Sequence, residues 1–331
     1  MPQDCRCLPR AAEANAVGRH QRFLEYLVTF LALGVLGLLG MLYVLNAIGS
    51  LPPPPVTATY CIDEKFKFLA ERDLDDVDLL AVGSSVTWRN LDMTPFVARG
   101  VAERPLNAAP CYLHMDQVAF LARFLLDHLD RVKTVVSVVA PRDFANCNEA
   151  ERAFFSPDRA APYVFEGASP LYVYITNFRP TPFLRDAWHI AEKRSSPKVF
   201  GPLFMDGYGS GPIEGTSTWS PPPRFDGTCF DALADLEAML AERGVRLVLV
   251  SFPSSPDWLA AHDPHGDVTR EFESRLRASL SDDGSLFQPS AAFAFDRSRY
   301  FDYVHLQWEG AQEFSSTVAG WLAARPAAAG G

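Results

Sequence analysis

The sequence predicts an α/β fold: a mainly parallel sheet with helices on both sides, in three α/β/α layers, preceded by one N-terminal transmembrane helix. Strand and helix patterns alternate along most of the chain, which is typical of a parallel sheet. Residues 133–140 (KTVVSVVA) and 246–252 (RLVLVSF) are apolar without polar alternation. Such runs indicate strands that are buried on both faces.

Apolar spacing and capping residues set the expected element boundaries. The predicted strands lie at residues 78–82, 105–109, 133–140 and 246–252. The predicted helices lie at residues 64–72, 116–129, 233–243, 271–280 and 309–324. Gly244 follows the third of these helices and is a typical C-cap.

A long segment at residues 155–229 interrupts this pattern and predicts an irregular insert, because it is rich in Pro, Gly and aromatic residues. A long insert inside a compact domain usually has a function. Its aromatic side chains would either line a substrate groove or pack the insert onto the sheet, and the sequence leaves both open. The aromatic residues in question are Tyr172, Tyr174, Trp188 and Trp219.

The N-terminal part of the chain predicts a membrane anchor. Residues 27–45 carry no charge, and with their flanks the span at 23–48 can cross a hydrocarbon core of about 30 Å. A buried soluble helix would show a polar face, and this segment shows none. A secretory signal peptide is the alternative, with a shorter apolar centre and a cleavage site, for which residues 46–50 offer only a weak candidate.

Charge predicts the orientation of this anchor. Basic residues precede the span, whereas residues 49–60 carry none. The basic residues are Arg6, Arg10, Arg19 and Arg22. Positive residues stay on the cytoplasmic side, so residues 1–22 are expected in the cytoplasm and the rest outside it.

Beyond the span, residues 49–60 form a Pro-rich linker, which we expect to be a stiff, extended spacer off the membrane. A domain at residues 61–325 and a disordered tail at 326–331 follow. The formal net charge of −10 argues against nucleic-acid binding, which needs a basic face.

The six cysteines divide between the two sides of the predicted membrane. Cys5 and Cys7 would stay reduced in the cytoplasm, whereas the four exported cysteines permit two disulfides. Four cysteines allow three pairings, and free buried thiols are the alternative. Cys111 and Cys147 each follow a predicted strand and would share one edge of the sheet. The expected pairs are therefore Cys111–Cys147 and Cys61–Cys229.

Two short motifs carry the chemistry. An apolar strand at residues 78–82 ends in Gly83, Ser84 and Ser85, and Asp302 stands three residues before His305 near the C-terminus. Gly-Ser-Ser is also a common loop and helix-capping sequence, and a lone histidine is usually structural. Together, however, the motifs supply a nucleophile, a base and the carboxylate that orients the base. No HExxH motif or close ligand pair is present in the sequence, so neither a metal nor a cofactor is expected.

In order and spacing, these motifs resemble the SGNH (GDSL-like) hydrolase superfamily. The resemblance implies that Ser85 is the nucleophile, His305 the base and Asp302 its partner, with Ser84 where the family usually has aspartate. The Gly-Ser-Ser version is similar to the membrane-anchored branch, which includes D-alanyl transfer and alginate O-acetylation proteins. That similarity implies a bacterial inner-membrane protein with a periplasmic domain, a membrane-bound O-acyltransferase as partner and a cell-envelope glycan as substrate.

Two blocks depart from the family pattern. Residues 107–112 contain no glycine to donate to an oxyanion, and residues 140–144 (APRDF) lack the family's asparagine donor. The amide of Ser85, a loop amide near Cys111 or Tyr112, and the charge of Arg142 are the expected replacements, and Ser84 is a further expected oxyanion or substrate contact. Asp143 is expected to form an ion pair with Arg142.

The functional expectation is a membrane-anchored serine O-acyltransferase or esterase that acts on acyl groups, acetyl by default, through an acyl-serine. The departures keep open an alternative of another class, a catalytically degenerate domain that binds glycan or serves as the scaffold of an acyltransferase complex.

Overall fold

The computed structural model describes residues 10–57, 59–148, 152–195, 203–281 and 284–325. The strands are β1 (Leu79–Ala81), β2 (Pro105–Asn107), β3 (Thr134–Val139), β4 (Arg246–Ser251) and β5 (Leu286–Gln288). The helices are α1 (Arg10–Ala47), α2 (Tyr60–Ala70), α3 (Ser85–Asn90), α4 (Thr94–Ala98), α5 (Met115–Leu126), α6 (Pro157–Phe165), α7 (Pro170–Asn177), α8 (Pro180–Ser195), α9 (Gly227–Glu242), α10 (Pro256–His262), α11 (Asp267–Ala278) and α12 (Trp308–Ala323). Short 3₁₀ turns lie at Pro141–Phe144, Ser290–Ala292 and Arg297–Arg299.

The five strands form one parallel sheet in the order β2-β1-β3-β4-β5. This confirms the predicted α/β class with a parallel sheet. The chain runs outward from β1 to β2 and then crosses back to β3 on the other side of β1. The order therefore reverses between β1 and β3, and a crevice opens there at the carboxyl ends of the strands, where ligands bind in open α/β sheets.

Each face of the sheet packs into its own hydrophobic cluster, because successive side chains of a strand point to opposite sides. Leu80 and Val135 belong to a cluster that includes buried residues of α5 and α9. Leu79 and Val136 belong to a second cluster, built with buried residues of α3, α4 and α12. Both faces are thus removed from water, as the uninterrupted apolar runs predict.

The four predicted strands and five predicted helices are all present, with boundaries that differ by a few residues. The prediction of an irregular insert is wrong in part, because residues 155–229 contain three helices, α6, α7 and α8. Each of the three begins at a proline. The first turn of a helix tolerates proline, since its missing N–H would have no intrahelical partner there.

Helix α1 includes the stretch Arg19–Ala47, which is long and apolar enough to cross a membrane. Its C-terminal turns are not isolated, since Leu42 is buried against Tyr174 of α7 and Phe183 of α8. The predicted cytoplasmic Cys5 and Cys7, together with Arg6 and the tail at 326–331, lie outside the described residues.

The linker after α1 does not stand off as a free spacer, and that prediction is wrong. Leu51 and Pro52 are buried. Tyr174 donates a hydrogen bond from its hydroxyl to the Pro52 carbonyl, and the Asn177 amide donates to the Pro55 carbonyl. A proline-rich segment has carbonyls without local partners, so these two side chains of α7 fix it on the domain surface.

Two disulfides form, but the expected pairing is wrong. Cys61 is bonded to Cys111, and Cys147 is bonded to Cys229. Cys61 and Cys229 each lie in the first turn of a helix, α2 and α9, that brings the sulfur to a loop following a strand. Cys111 and Cys147 do follow strands, as predicted, yet each meets a helix rather than the other loop.

Candidate active site

The serine pair lies where β1 passes into α3, beside the crevice between β1 and β3. A Cβ atom at Gly83 would overlap the Thr87 side chain, so this position requires glycine for close packing rather than for its φ angle. The Thr87 hydroxyl donates to the Val138 carbonyl at 2.8 Å and accepts from the Val138 amide at 3.0 Å. These bonds fasten α3 to the end of β3 and leave Ser85 as the first residue of the helix.

Ser84 has a structural position. Its hydroxyl donates to Asp143 Oδ1 at 2.7 Å and accepts from the Val86 amide at 3.1 Å, which caps α3. This differs from the expected substrate contact, because Ser84 is 2% exposed and both capacities of its hydroxyl are used within the protein. Ser84 and Asp143 therefore tie the carboxyl ends of β1 and β3 together.

The closest contacts of Asp143 are its hydrogen bonds with Ser84 and the Ala140 amide, rather than the expected ion pair with Arg142. Its Oδ2 accepts from the Ala140 amide at 3.0 Å, whereas its closest approach to Arg142 is 3.9 Å, at the limit of an ion pair. Burial raises the pKa of Asp143, and Arg142, Ser84 and the Ala140 amide each oppose that shift.

The hydroxyl of Ser85 meets the imidazole of His305 across 220 residues of sequence. Ser85 Oγ lies 3.0 Å from His305 Nε2, and His305 Nδ1 lies 2.7 Å from Asp302 Oδ2. All three residues are buried, with at most 8% of their surface exposed. These are the distances and the sequence of contacts of a nucleophile, a general base and an orienting carboxylate.

Asp302 is held in place as an anion. Its other oxygen, Oδ1, accepts from the backbone amides of Val304 and His305, each at 2.9 Å. Burial raises the pKa of Asp302, but the His305 contact and the two amides outweigh burial and lower the pKa below its usual value. An ionised Asp302 selects the tautomer in which Nδ1 carries the proton and Nε2 is free to accept one from Ser85.

Asn90 joins the two halves of this arrangement, and the sequence analysis missed it. Its Nδ2 donates to the carbonyls of Val86 and Val304, and its Oδ1 accepts from the Leu306 amide, all at 2.8 Å. Val304 and Leu306 flank His305, so the α3 helix that carries Ser85 also holds the loop that carries His305. Asn90 lies five residues after Ser85, and no sequence motif predicts a role for an asparagine at that position.

Arg142, which follows β3, is a cationic group in contact with Ser85. Its guanidinium donates from Nη1 to Ser85 Oγ at 3.2 Å and lies over the Trp219 ring at 5.1 Å. A positive charge there stabilises negative charge as it develops on the serine oxygen or on an adjacent carbonyl oxygen.

A cleft of about 540 Å³ leads to Ser85 and His305. The Cys61–Cys111 disulfide, Tyr112, Arg142 and Trp219 contribute to its wall. The cleft also contains residues not singled out from the sequence, namely Trp88, Arg89, Leu203, Ile213, Ser217 and Phe301.

The expected loop donors, Cys111 and Tyr112, do border the cleft. Tyr112 has a φ of 65°, a left-handed conformation that is uncommon outside glycine and costs on the order of 1–3 kcal/mol. Residues 107–112 contain no glycine, yet they make a turn of the kind that glycine favours. The sequence shows only the missing glycine, not the turn.

Of the four insert aromatics, Trp219 lines the cleft and stacks edge-on against Tyr303. Of the two alternatives that the sequence leaves open, the groove applies to Trp219, and the other three do not line this cleft. Tyr174 is buried against α1 and the linker, and Tyr172 and Trp188 are exposed on α7 and α8.

No protein-family model matches the chain, and no curated protein matches it significantly.

Proposed function

We propose that the protein is a membrane-anchored extracytoplasmic serine O-acyltransferase or esterase that acts on acyl groups, acetyl by default, of cell-envelope glycans. The observation that carries the proposal is the continuous contact from Ser85 Oγ through His305 to Asp302, at 3.0 and 2.7 Å. A buried carboxylate, an oriented imidazole and a serine at the mouth of a cleft are the parts that acyl transfer requires.

In the proposed first step, Ser85 Oγ attacks the carbonyl carbon of an acyl ester or thioester while His305 Nε2 takes the hydroxyl proton. The negative charge that forms on the carbonyl oxygen faces the Ser85 amide and the Arg142 guanidinium. As the first residue of α3, Ser85 has an amide without an acceptor in its own helix. The intermediate then expels the alcohol or thiol, which receives the proton from His305, and an acyl-serine remains.

In the second step, a glycan hydroxyl gives its proton to His305 and attacks the acyl-serine, so that the acyl group moves to the glycan and Ser85 recovers its proton. Water in place of the hydroxyl completes hydrolysis. Trp219 and Phe301 line the cleft and offer flat apolar surfaces on which a sugar ring can lie, which supports a glycan as the acceptor.

The proposed setting is the bacterial inner membrane, with the N-terminus in the cytoplasm and the domain in the periplasm. It rests on the apolar stretch Arg19–Ala47, on the arginines before it and on the two disulfides, which persist in oxidising compartments. A membrane-bound O-acyltransferase is the proposed partner that delivers the acyl group. The fold is proposed to be an SGNH-like three-layer sandwich, supported by the parallel strand order and the two clusters on opposite faces.

The alternative function is a non-catalytic scaffold, which is favoured by the lack of an asparagine donor at residues 140–144. The contact of Arg142 with Ser85 Oγ supports the enzyme instead, because it supplies a cationic donor at the same strand end.

A fluorophosphonate probe on the purified full chain in detergent tests the proposal. We expect wild type to be labelled, and Ser85→Ala and His305→Ala to lose labelling. Ser217→Ala is the matched control, since it removes another hydroxyl from the same cleft, and it should label normally. An unlabelled wild type, or labelling that survives in Ser85→Ala, contradicts the enzymatic function.

A further inference from the structure

The insert helices α7 and α8 each expose two large apolar side chains. Tyr172 and Ile175 of α7 are 48% and 67% exposed, and Leu184 and Trp188 of α8 are 68% and 74% exposed. The first pair is spaced i, i+3 and the second i, i+4, so each pair lies on one side of its helix. We call these four residues the α7–α8 face. Grouped apolar exposure of this kind marks an interaction surface.

The same two helices also contact the apolar helix α1. Tyr174 of α7 and Phe183 of α8 are buried with Leu42, and Leu38 and Leu45 pack against the same cluster. The two helices that carry the α7–α8 face are therefore packed against α1 through other side chains.

This contact lies in the C-terminal part of α1, where Leu38, Leu42 and Leu45 belong to one cluster or pack against it. Leu42 precedes the C-terminal end of the helix at Ala47 by about 8 Å, at 1.5 Å per residue. Helices that lie in a membrane interface bury their apolar side by about 5–10 Å. Tyrosine and tryptophan concentrate at this depth, because their rings are apolar and each carries one polar group.

We propose that the α7–α8 face is seated in the headgroup–acyl boundary of the bilayer that α1 crosses, on the side where the domain lies. This goes beyond the acyltransferase chemistry and depends only on α1 as the membrane span. One helix alone would let the domain turn about its tether, whereas a second contact fixes its orientation. Tyr174 and Asn177 fasten the linker to α7, so the domain would keep one orientation relative to α1.

Depth-dependent fluorescence quenching tests this proposal. The full chain is placed in lipid nanodiscs that contain phosphatidylcholine brominated near the headgroup or near the acyl terminus. We expect shallow bromines to quench tryptophan emission more than deep bromines, and Trp188→Phe to lose that difference. Trp219→Phe is the matched control, because it removes an exposed tryptophan in the cleft, and it should keep the difference.

A double variant, Ile175→Asp with Leu184→Asp, gives a second measurement. Both side chains are exposed, so the melting temperature should hold while the shallow quenching falls. If both proteins enter nanodiscs and the difference between shallow and deep quenching is the same in wild type and Trp188→Phe, the proposal is overturned. Failure of the full chain to enter nanodiscs at all would overturn α1 as a span and the proposal with it. Neither result bears on the labelling of Ser85.

Discussion

Asn90→Ala should separate the positioning of His305 from the chemistry of the triad. The substitution removes three hydrogen bonds and leaves the Val304 carbonyl and the Leu306 amide without their partner, both in fully buried residues. An orphaned buried group costs about 1–3 kcal/mol, so the two together should lower the free energy of unfolding by about 2–6 kcal/mol.

The loss of activity should exceed what this loss of stability explains. With its two flanking residues released, the His305 loop can shift relative to Ser85, and a displacement on the order of 1 Å costs about 10²-fold in rate. Fluorophosphonate labelling rates, measured under conditions where urea titration shows the protein folded, should therefore fall about 10²-fold.

The matched control is Leu121→Ala in α5, which leaves a cavity in the cluster on the opposite face of the sheet. Leu121→Ala should lower the free energy of unfolding by about 2–5 kcal/mol, which is usual for a buried leucine cut back to alanine. Its labelling rate should stay near that of wild type. If Asn90→Ala labels as fast as Leu121→Ala at equal folded fraction, Asn90 has no positioning role and the reasoning fails.

Three further predictions follow from single contacts. Gly83→Ala should abolish labelling and cost about 1–3 kcal/mol or more, because its Cβ would overlap Thr87; Gly227→Ala, where a Cβ meets open space, should label normally in the same assay. Arg142→Gln should lower the rate of aryl-acetate turnover about 10²–10³-fold, as the loss of an oxyanion donor does. Arg142→Lys should restore part of that rate. Equal rates in wild type and both variants would show that Arg142 has no role in the reaction. Asp302 has a lowered pKa when folded, so its stabilisation is present above the unfolded pKa and is lost as pH falls through the folded value. The stability difference between wild type and Asp302→Asn, followed by thermal melts, should therefore narrow below about pH 4, and a difference that widens there would contradict this assignment.

The sequence was most informative where local chemistry determines structure. An apolar strand that ends in Gly-Ser-Ser, and an aspartate three residues before a histidine, are local patterns, and the structure brings Ser85, Asp302 and His305 together. The buried strands were equally readable, because burial on both faces leaves no polar alternation.

The rest depended on contacts that no local pattern encodes. Asn90 acquires its role from a loop more than 200 residues away. Each disulfide pairs a helix with a loop after a strand, a choice set by packing rather than by cysteine position. Proline in the insert predicts irregular structure, and proline in the linker predicts a free spacer. In the structure, prolines instead begin helices α6, α7 and α8, and Tyr174 binds the proline-rich linker.

The central claim, that Ser85 becomes acylated through His305, can be measured by trapping the intermediate. The full chain is mixed with an activated aryl acetate, quenched in acid and digested, and the acetyl group is located by mass spectrometry. We predict one acetyl group on Ser85 in wild type and none in His305→Ala. An acetyl group on Ser84 in place of Ser85, or equal acetylation of Ser85 in the two proteins, would contradict the account.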